Sequence, residues 1–167
     1  MFVLIIRHAK AEPHAVLGSI GKKDATRPLT EAGRKDMRKA AKGLRTLVPE
    51  IDMLAASPLV RAQETAAIIA ERYDAMPVTE LAPLAPGGSK QAVLDWLGDQ
   101  PESATVALVG HEPGLGILAS WLLSGRKESF ISLKKGAGCL IELTDRPEAG
   151  AGKLVWLLPP AALRKHG

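Results

Sequence analysis

Phe2-Val-Leu-Ile-Ile-Arg-His8 carries five apolar residues straight into an arginine–histidine pair. A short apolar run rich in β-branched residues reads as a buried strand, and the pair sits at its carboxyl end. Open α/β sheets bind their ligands at that edge. Two further runs behave alike: Ile51 to Ala56 leads into Ser57-Pro-Leu-Val-Arg61, and Thr105 to Val109 leads into Gly110-His111. Parallel strands align their carboxyl ends, so Arg7, His8, Arg61 and His111 are expected to converge on one point. An adjacent guanidinium and imidazole placed there can hold a phosphate and attack it.

Between these strands the pattern changes to helical spacing. Thr30 is a good N-cap with Leu29 as a hydrophobic staple, and Met37, Ala40, Ala41, Leu44 and Leu47 recur on one face until Pro49 stops the run. Leu59 to Tyr73 reads as a second helix, Ser89 caps a third bearing Val93, Leu94, Trp96 and Leu97, and Pro113 opens a fourth that extends to about Leu123. Pro77-Val-Thr is a weak strand and Leu81 to Gly88 a loop. Ser132 to Leu133, Gly138 to Leu143 and Lys153 to Leu158 read as strands without long helices between them, hence antiparallel neighbours at an edge. Alternating strands and helices make the chain α/β with a mostly parallel sheet. The broken polar stretch from Ala9 to Pro28 is too long to be a mere connection and is expected to be functional or mobile.

Composition sets the outer limits. The 167 residues are expected to form a single domain, with 46% hydrophobic and 24% charged residues, a globular balance. Twenty-two Lys and Arg against 18 Asp and Glu leave +4, a mild excess that favours an anionic substrate or an acidic partner. The cations are dispersed apart from small clusters such as Lys22-Lys23 and Lys134-Lys135. They lack interleaved aromatics, there being two Phe, one Tyr and three Trp, which argues against nucleic-acid binding. One cysteine, Cys139, excludes an intrachain disulfide, and its apolar surroundings suit a core residue better than a nucleophile. No run of 18 apolar residues indicates a membrane span, and no leader pattern precedes the first strand, so the expected setting is cytoplasmic. Metal-ligand spacing is absent, as are a Walker loop and a dinucleotide fingerprint, so neither a metal nor a cofactor is expected.

Each member of the constellation has a plainer reading: a solvated strand end, a surface helix arginine, a turn histidine held by backbone. Their order on three strands outweighs it. Arg61 falls in the first turn of its helix, where unpaired N–H groups favour an anion and an arginine is a local conflict unless an anion sits nearby. Ser57 reads as a helix-entry residue, because no nucleophile elbow surrounds it. His14 and His166 read as bystanders, and Trp96, Trp121 and Trp156 as core.

Four segments, in order and spacing, resemble the histidine phosphatase superfamily, which also contains the phosphoglycerate mutases. These are Leu4-Ile-Ile-Arg-His8, Pro28-Leu-Thr-Glu-Ala-Gly33, Ser57-Pro-Leu-Val-Arg-Ala-Gln-Glu-Thr65 and Val109-Gly-His111. Small size, Arg27-Pro-Leu-Thr30 and the short segment near Leu81-Ala-Pro-Leu-Ala-Pro-Gly87 are similar to the SixA-type phosphohistidine phosphatases. One departure is Ala9, where the superfamily has glycine; it leaves the catalytic side chains unaffected. The resemblance implies a three-layer α/β/α sandwich, phosphoglycerate mutase-like, and a metal-independent phosphatase. In that mechanism His8 is the nucleophile forming a phosphohistidine that water hydrolyses, Arg7 and Arg61 grip phosphoryl oxygens, and His111 donates a further hydrogen bond. Arg27 has a family counterpart and can reach a substrate phosphate from the long loop, though a plain exposed arginine is an equal reading.

The leaving group helps to sort substrates. Alkyl phosphates need a carboxylic acid to protonate the departing alkoxide. Where mutase-like relatives carry that acid, this chain reads Glu80-Leu-Ala-Pro83. Glu80 or Glu12 can substitute, and exposed surface glutamate is the alternative for both. An imidazole with an ordinary pKa of ~6.5 leaves readily once protonated, and the short Leu81 to Gly88 segment leaves room for a protein side chain. The expected substrate is therefore a phosphohistidine on a protein. The alternatives are a small phosphorylated metabolite or a phosphate-recognition module without catalysis.

Overall fold

The computed structural model describes residues 1–13, 22–144 and 146–167. The expectations for His14 and for the middle of the Ala9 to Pro28 stretch lie outside the described residues. Six strands form one sheet in the order β3-β2-β4-β1-β5-β6, comprising β1 (Phe2–Arg7), β2 (Met53–Ala56), β3 (Val78–Glu80), β4 (Thr105–Gly110), β5 (Gly138–Leu143) and β6 (Gly152–Leu158). The first four run parallel; β5 lies antiparallel to β1, and β6 antiparallel to β5. The mostly parallel sheet with an antiparallel edge is thus present.

Alternation along β1 separates the two faces. Leu4 and Ile6 join one apolar cluster with Met37, Ala41 and Leu44 of α2 (Glu31–Leu47) and Ala62, Ala66 and Ile69 of α3 (Val60–Ala70). Val3 and Ile5 join the other, with Val93 and Leu97 of α4 (Lys90–Gly98) and Leu115, Leu118 and Leu122 of α5 (Gly114–Ser124). A strand's side chains alternate faces with period 2, so one six-residue strand serves both layers and the result is a three-layer α/β/α sandwich. Two short helices are also present, α1 (Lys22–Ala25) before α2 and α6 (Pro160–Leu163) after β6. Among the described residues no helix is long and apolar enough to cross a membrane.

Several details differ from expectation. Ser132-Leu133 is not a strand: the Leu133 N–H donates to the Glu112 carboxylate at 2.6 Å and its carbonyl accepts from Arg7 at 2.7 Å, so side chains take its ladder bonds. The helix expected over Leu59 to Tyr73 ends at Ala70, and Arg72 and Tyr73 continue as tight turns. Within the Leu81 to Gly88 loop, Ala82–Leu84 forms a 3₁₀ turn. Of the tryptophans, Trp121 is buried, whereas Trp96 and Trp156 pack only partly against the two cores.

Candidate active site

Register builds the site. Ile6, Val109 and Ala56 lie side by side across β1, β4 and β2, so the next positions on each strand emerge at one level. The ladder runs one step beyond the strands, with His8 N–H donating to Gly110 O at 3.0 Å and Ser57 N–H to Val109 O at 2.9 Å. His8 and His111 thereby stand together, ring centroids 5.0 Å apart and planes tilted by 53°. Arg61 arrives from the first turn of α3, and its Nε donates to His8 Nε2 at 3.3 Å. Arg7, alternating to the opposite face from His8, reaches the Leu133 carbonyl with Nη1, while its buried Nε has no partner among the described residues. His8, Arg61 and His111 therefore meet at the sheet's carboxyl edge, with Arg7 near enough to act electrostatically on both histidines.

Hydrogen-bond accounting fixes the His8 tautomer. Its Nδ1 lies 2.7 Å from the Ala9 carbonyl, which can only accept, so Nδ1 carries the hydrogen and Nε2 keeps a lone pair. The Arg61 N–H pointing at Nε2 agrees. Burial lowers the His8 pKa to about 4; the Ala9 carbonyl opposes this, and Arg61 and Arg7 add to the lowering. His111 falls to about 3, first through burial and then through His8 and Arg61. Both imidazoles are neutral at pH 7. The strand end is held by α3, where Thr65 Oγ1 accepts the Ala9 N–H at 3.1 Å and donates to Arg61 O at 2.7 Å.

Arg27 is 8% exposed and so is not the plain surface arginine of the alternative reading. Its Nε donates to Asp24 Oδ1 at 3.0 Å and its Nη1 to the Glu12 carbonyl at 2.8 Å. Asp24 also takes Arg61: Nη2 donates to Oδ2 at 3.2 Å and Nη1 to the Asp24 carbonyl at 2.8 Å. Partial burial alone would raise this carboxyl, but Arg61 and Arg27 outweigh it and hold it below its ordinary value. The conflict of an arginine at a helix N-terminus is thus relieved by a carboxylate from α1. The segment carrying Arg27 is pinned in turn. Leu29 N–H and Arg34 Nη2 both donate to the Glu64 carboxylate at 2.6 Å, and Thr30 N–H donates to Lys10 O at 2.9 Å. Gly33 is required where α2 crosses that loop, since a Cβ there would run into the Lys10 carbonyl.

Glu12 contributes its backbone carbonyl to Arg27, and Glu80 ends β3 exposed, opposite Ala56 in register. Neither carboxylate is bonded to the four clustered side chains. His166 is exposed in the tail, and the Cys139 thiol is buried in the core, which pushes its pKa up to about 12. Among the described residues no cluster of His, Cys, Asp or Glu is placed to hold a metal ion.

Sequence reasoning passes over three participants. Asp24 carries a signal in being an acid three residues before Arg27. Glu112, next to His111, clamps the Leu133 peptide that receives Arg7. Ser57, a helix-entry residue by its sequence, does bond the Leu59 N–H at 3.3 Å, but its Oγ also lies 2.8 Å from His111 Nε2.

The chain is similar to several known proteins. Phosphohistidine phosphatase SixA of Escherichia coli is 27% identical over 168 residues, 98% of this chain and 97% of that protein. An uncharacterised protein of Picosynechococcus is 33% identical over 153 residues, 81% of this chain and 88% of its own length. Among solved structures, that of the protein histidine phosphatase SixA complexed with tungstate superposes with a TM-score of 0.82 at 28% identity, covering 98% of this chain and 99% of that one. A mycobacterial glucosyl-3-phosphoglycerate phosphatase shares the fold, with a TM-score of 0.68 at 18% identity over 92% of this chain and 96% of that one. The family model of the histidine phosphatase superfamily (branch 1) matches residues 3–85, the span that contributes Arg7, His8, Arg27 and Arg61, and the chain belongs to that superfamily.

Proposed function

We propose that this chain is a phosphohistidine phosphatase, acting in the cytoplasm on a phosphorylated protein through a covalent intermediate on His8. The observation that carries the reading is the neutral His8 ring, with its Nδ1–H tied to Ala9 and its Nε2 lone pair facing the guanidinium of Arg61. Nε2 attacks phosphorus, the P–N bond of the substrate breaks, and the leaving imidazole departs with the bonding pair and takes a proton. Water then displaces His8 and releases inorganic phosphate. Arg7, Arg61 and Arg27 hold the phosphoryl oxygens, and His111 donates to them as charge gathers. Catalysis of this kind rests on positioning and electrostatic stabilisation. Tungstate, bound by the SixA relative, is a tetrahedral oxyanion of the kind such a cradle suits.

A protein substrate is favoured by what surrounds Arg7. An open groove beside it, lined by Glu112, Pro113 and Ser129 to Ser132, leaves Phe130 63% exposed. The substrate supplies an imidazole leaving group, so the reaction does not depend on a carboxylic acid. A small phosphomonoester would need one, with Glu80 or Glu12 as the candidates.

The test is incubation with a labelled phosphohistidine protein followed by acid and base quenching. An acid-labile, base-stable label on the chain, absent in His8→Ala, is expected. Strong preference for sugar or nucleotide phosphates would assign the site to metabolites. Phosphate binding without turnover would make it a recognition module.

A further inference from the structure

We infer that Ser57 is a positioning residue that sets the tautomer of His111, donating its hydroxyl hydrogen to Nε2 so that Nδ1–H is left to bond the phosphoryl group. This rests on the proposed reading of the site and assigns a task that none of its four convergent side chains performs.

Counting hydrogens decides the tautomer. Ser57 is fully buried at the end of β2, and its Oγ already accepts the Leu59 N–H at 3.3 Å. The hydroxyl has one hydrogen to place, and the described acceptor within reach is His111 Nε2 at 2.8 Å. A neutral imidazole carries one hydrogen. If that hydrogen sat on Nε2, the serine hydrogen would be left buried without an acceptor, the costly arrangement for a hydroxyl. The opposite placement satisfies both groups and puts the ring hydrogen on Nδ1.

Nδ1 is itself informative. It is buried and has no partner among the described residues. Buried polar atoms are nearly always bonded, so an orphan beside a catalytic cluster points to a group that arrives with the substrate. Phosphoryl oxygens only accept, and a bare Nδ1 lone pair facing them would repel. A donor at Nδ1 is required, and a donor at Nδ1 means an acceptor at Nε2. The two histidines then have matched and opposite tasks: Ala9 O pins His8 with a bare Nε2, and Ser57 pins His111 with a protonated Nδ1.

The test begins without substrate. In ¹⁵N correlation spectra of imidazole-labelled wild type at pH 7, His111 is expected as the Nδ1–H tautomer, shifting towards Nε2–H in Ser57→Ala. With free phosphohistidine as the probe, Ser57→Ala is expected to lower kcat by roughly 10- to 100-fold with little change in KM, less than loss of a direct donor. Ser57→Thr, which keeps the hydroxyl, should recover most of that loss. In a His111→Ala background Ser57→Ala should cost nothing further. An Nε2–H tautomer in wild type overturns the inference, as does an equal fold-loss in both backgrounds. Failure of every phosphohistidine substrate would count against the proposed function, while the spectra would still decide the tautomer.

Discussion

Acidifying the protein from pH 7 to pH 5 should cost about 4 kcal/mol of folding stability through two side chains alone. His8 and His111 are 5% and 4% exposed, with pKa values lowered from 6.5 to about 4 and about 3. The lowered folded-state value fixes the sign. Their contribution is fully present above 6.5 and is lost progressively as pH falls towards the folded values, because the unfolded chain takes up protons that the folded chain refuses. At pH 5 each unfolded imidazole is nearly fully charged and each folded one nearly neutral, so each costs about 2 kcal/mol relative to pH 7. Both rings remain neutral in the fold over this range, so their mutual repulsion barely enters. Ordinary domains are stable by only about 5–15 kcal/mol, so the effect is large. Urea unfolding at both pH values, in wild type and in a His8→Asn, His111→Asn double variant, isolates it. Equal losses in the two proteins would refute the claim that these imidazoles are buried neutral.

Three substitutions test the supporting geometry. Arg61→Lys keeps the charge but gives up the Nε–H on His8 and the two-pronged hold on Asp24, and kcat for phosphohistidine should fall by roughly 100-fold; near-wild-type turnover would count against the planar fork. Thr65→Val keeps the shape and strips the Ala9 N–H of its acceptor, which should cost about 1–3 kcal/mol, seen as a lower urea midpoint at unchanged m-value. Gly116→Ala drives a methyl into the Ile131 carbonyl and the Glu112 carboxylate, so a loss of about 1–3 kcal/mol is expected. Calorimetry measures that loss, and kcat should drop with it as the Leu133 carbonyl moves away from Arg7.

The sequence disclosed what depends on continuous patterns. β1, β2 and β4 are unbroken apolar runs because both faces of each are covered, and their shared direction was enough to gather Arg7, His8, Arg61 and His111. The helix from Thr30 was legible because its cap and its apolar stripe agree, with Thr30 Oγ1 accepting the Gly33 N–H at 2.9 Å. Ser132-Leu133 misled because Ile131, Ser132 and Leu133 alternate apolar and polar as a strand does, while the Leu133 backbone bonds go to Glu112 and Arg7, partners distant in sequence. Asp24, Ser57 and Glu112 stayed hidden for the same reason. Each acts on the site through a partner distant in sequence, Arg61, His111 and Leu133 respectively, which leaves no periodicity to read.

The carboxylate of Asp24 has a consequence for selectivity. Any ligand that takes the guanidinium forks of Arg61 and Arg27 must evict a resident monoanion rather than fill an empty seat. Its gain is the difference between two charge-assisted pairings, so a monovalent competitor such as acetate gains almost nothing by the exchange. A doubly charged tetrahedral group gains an extra charge and extra acceptors, and the cradle is thereby tuned against the commonest carboxylates of the cell before any substrate has been recognised.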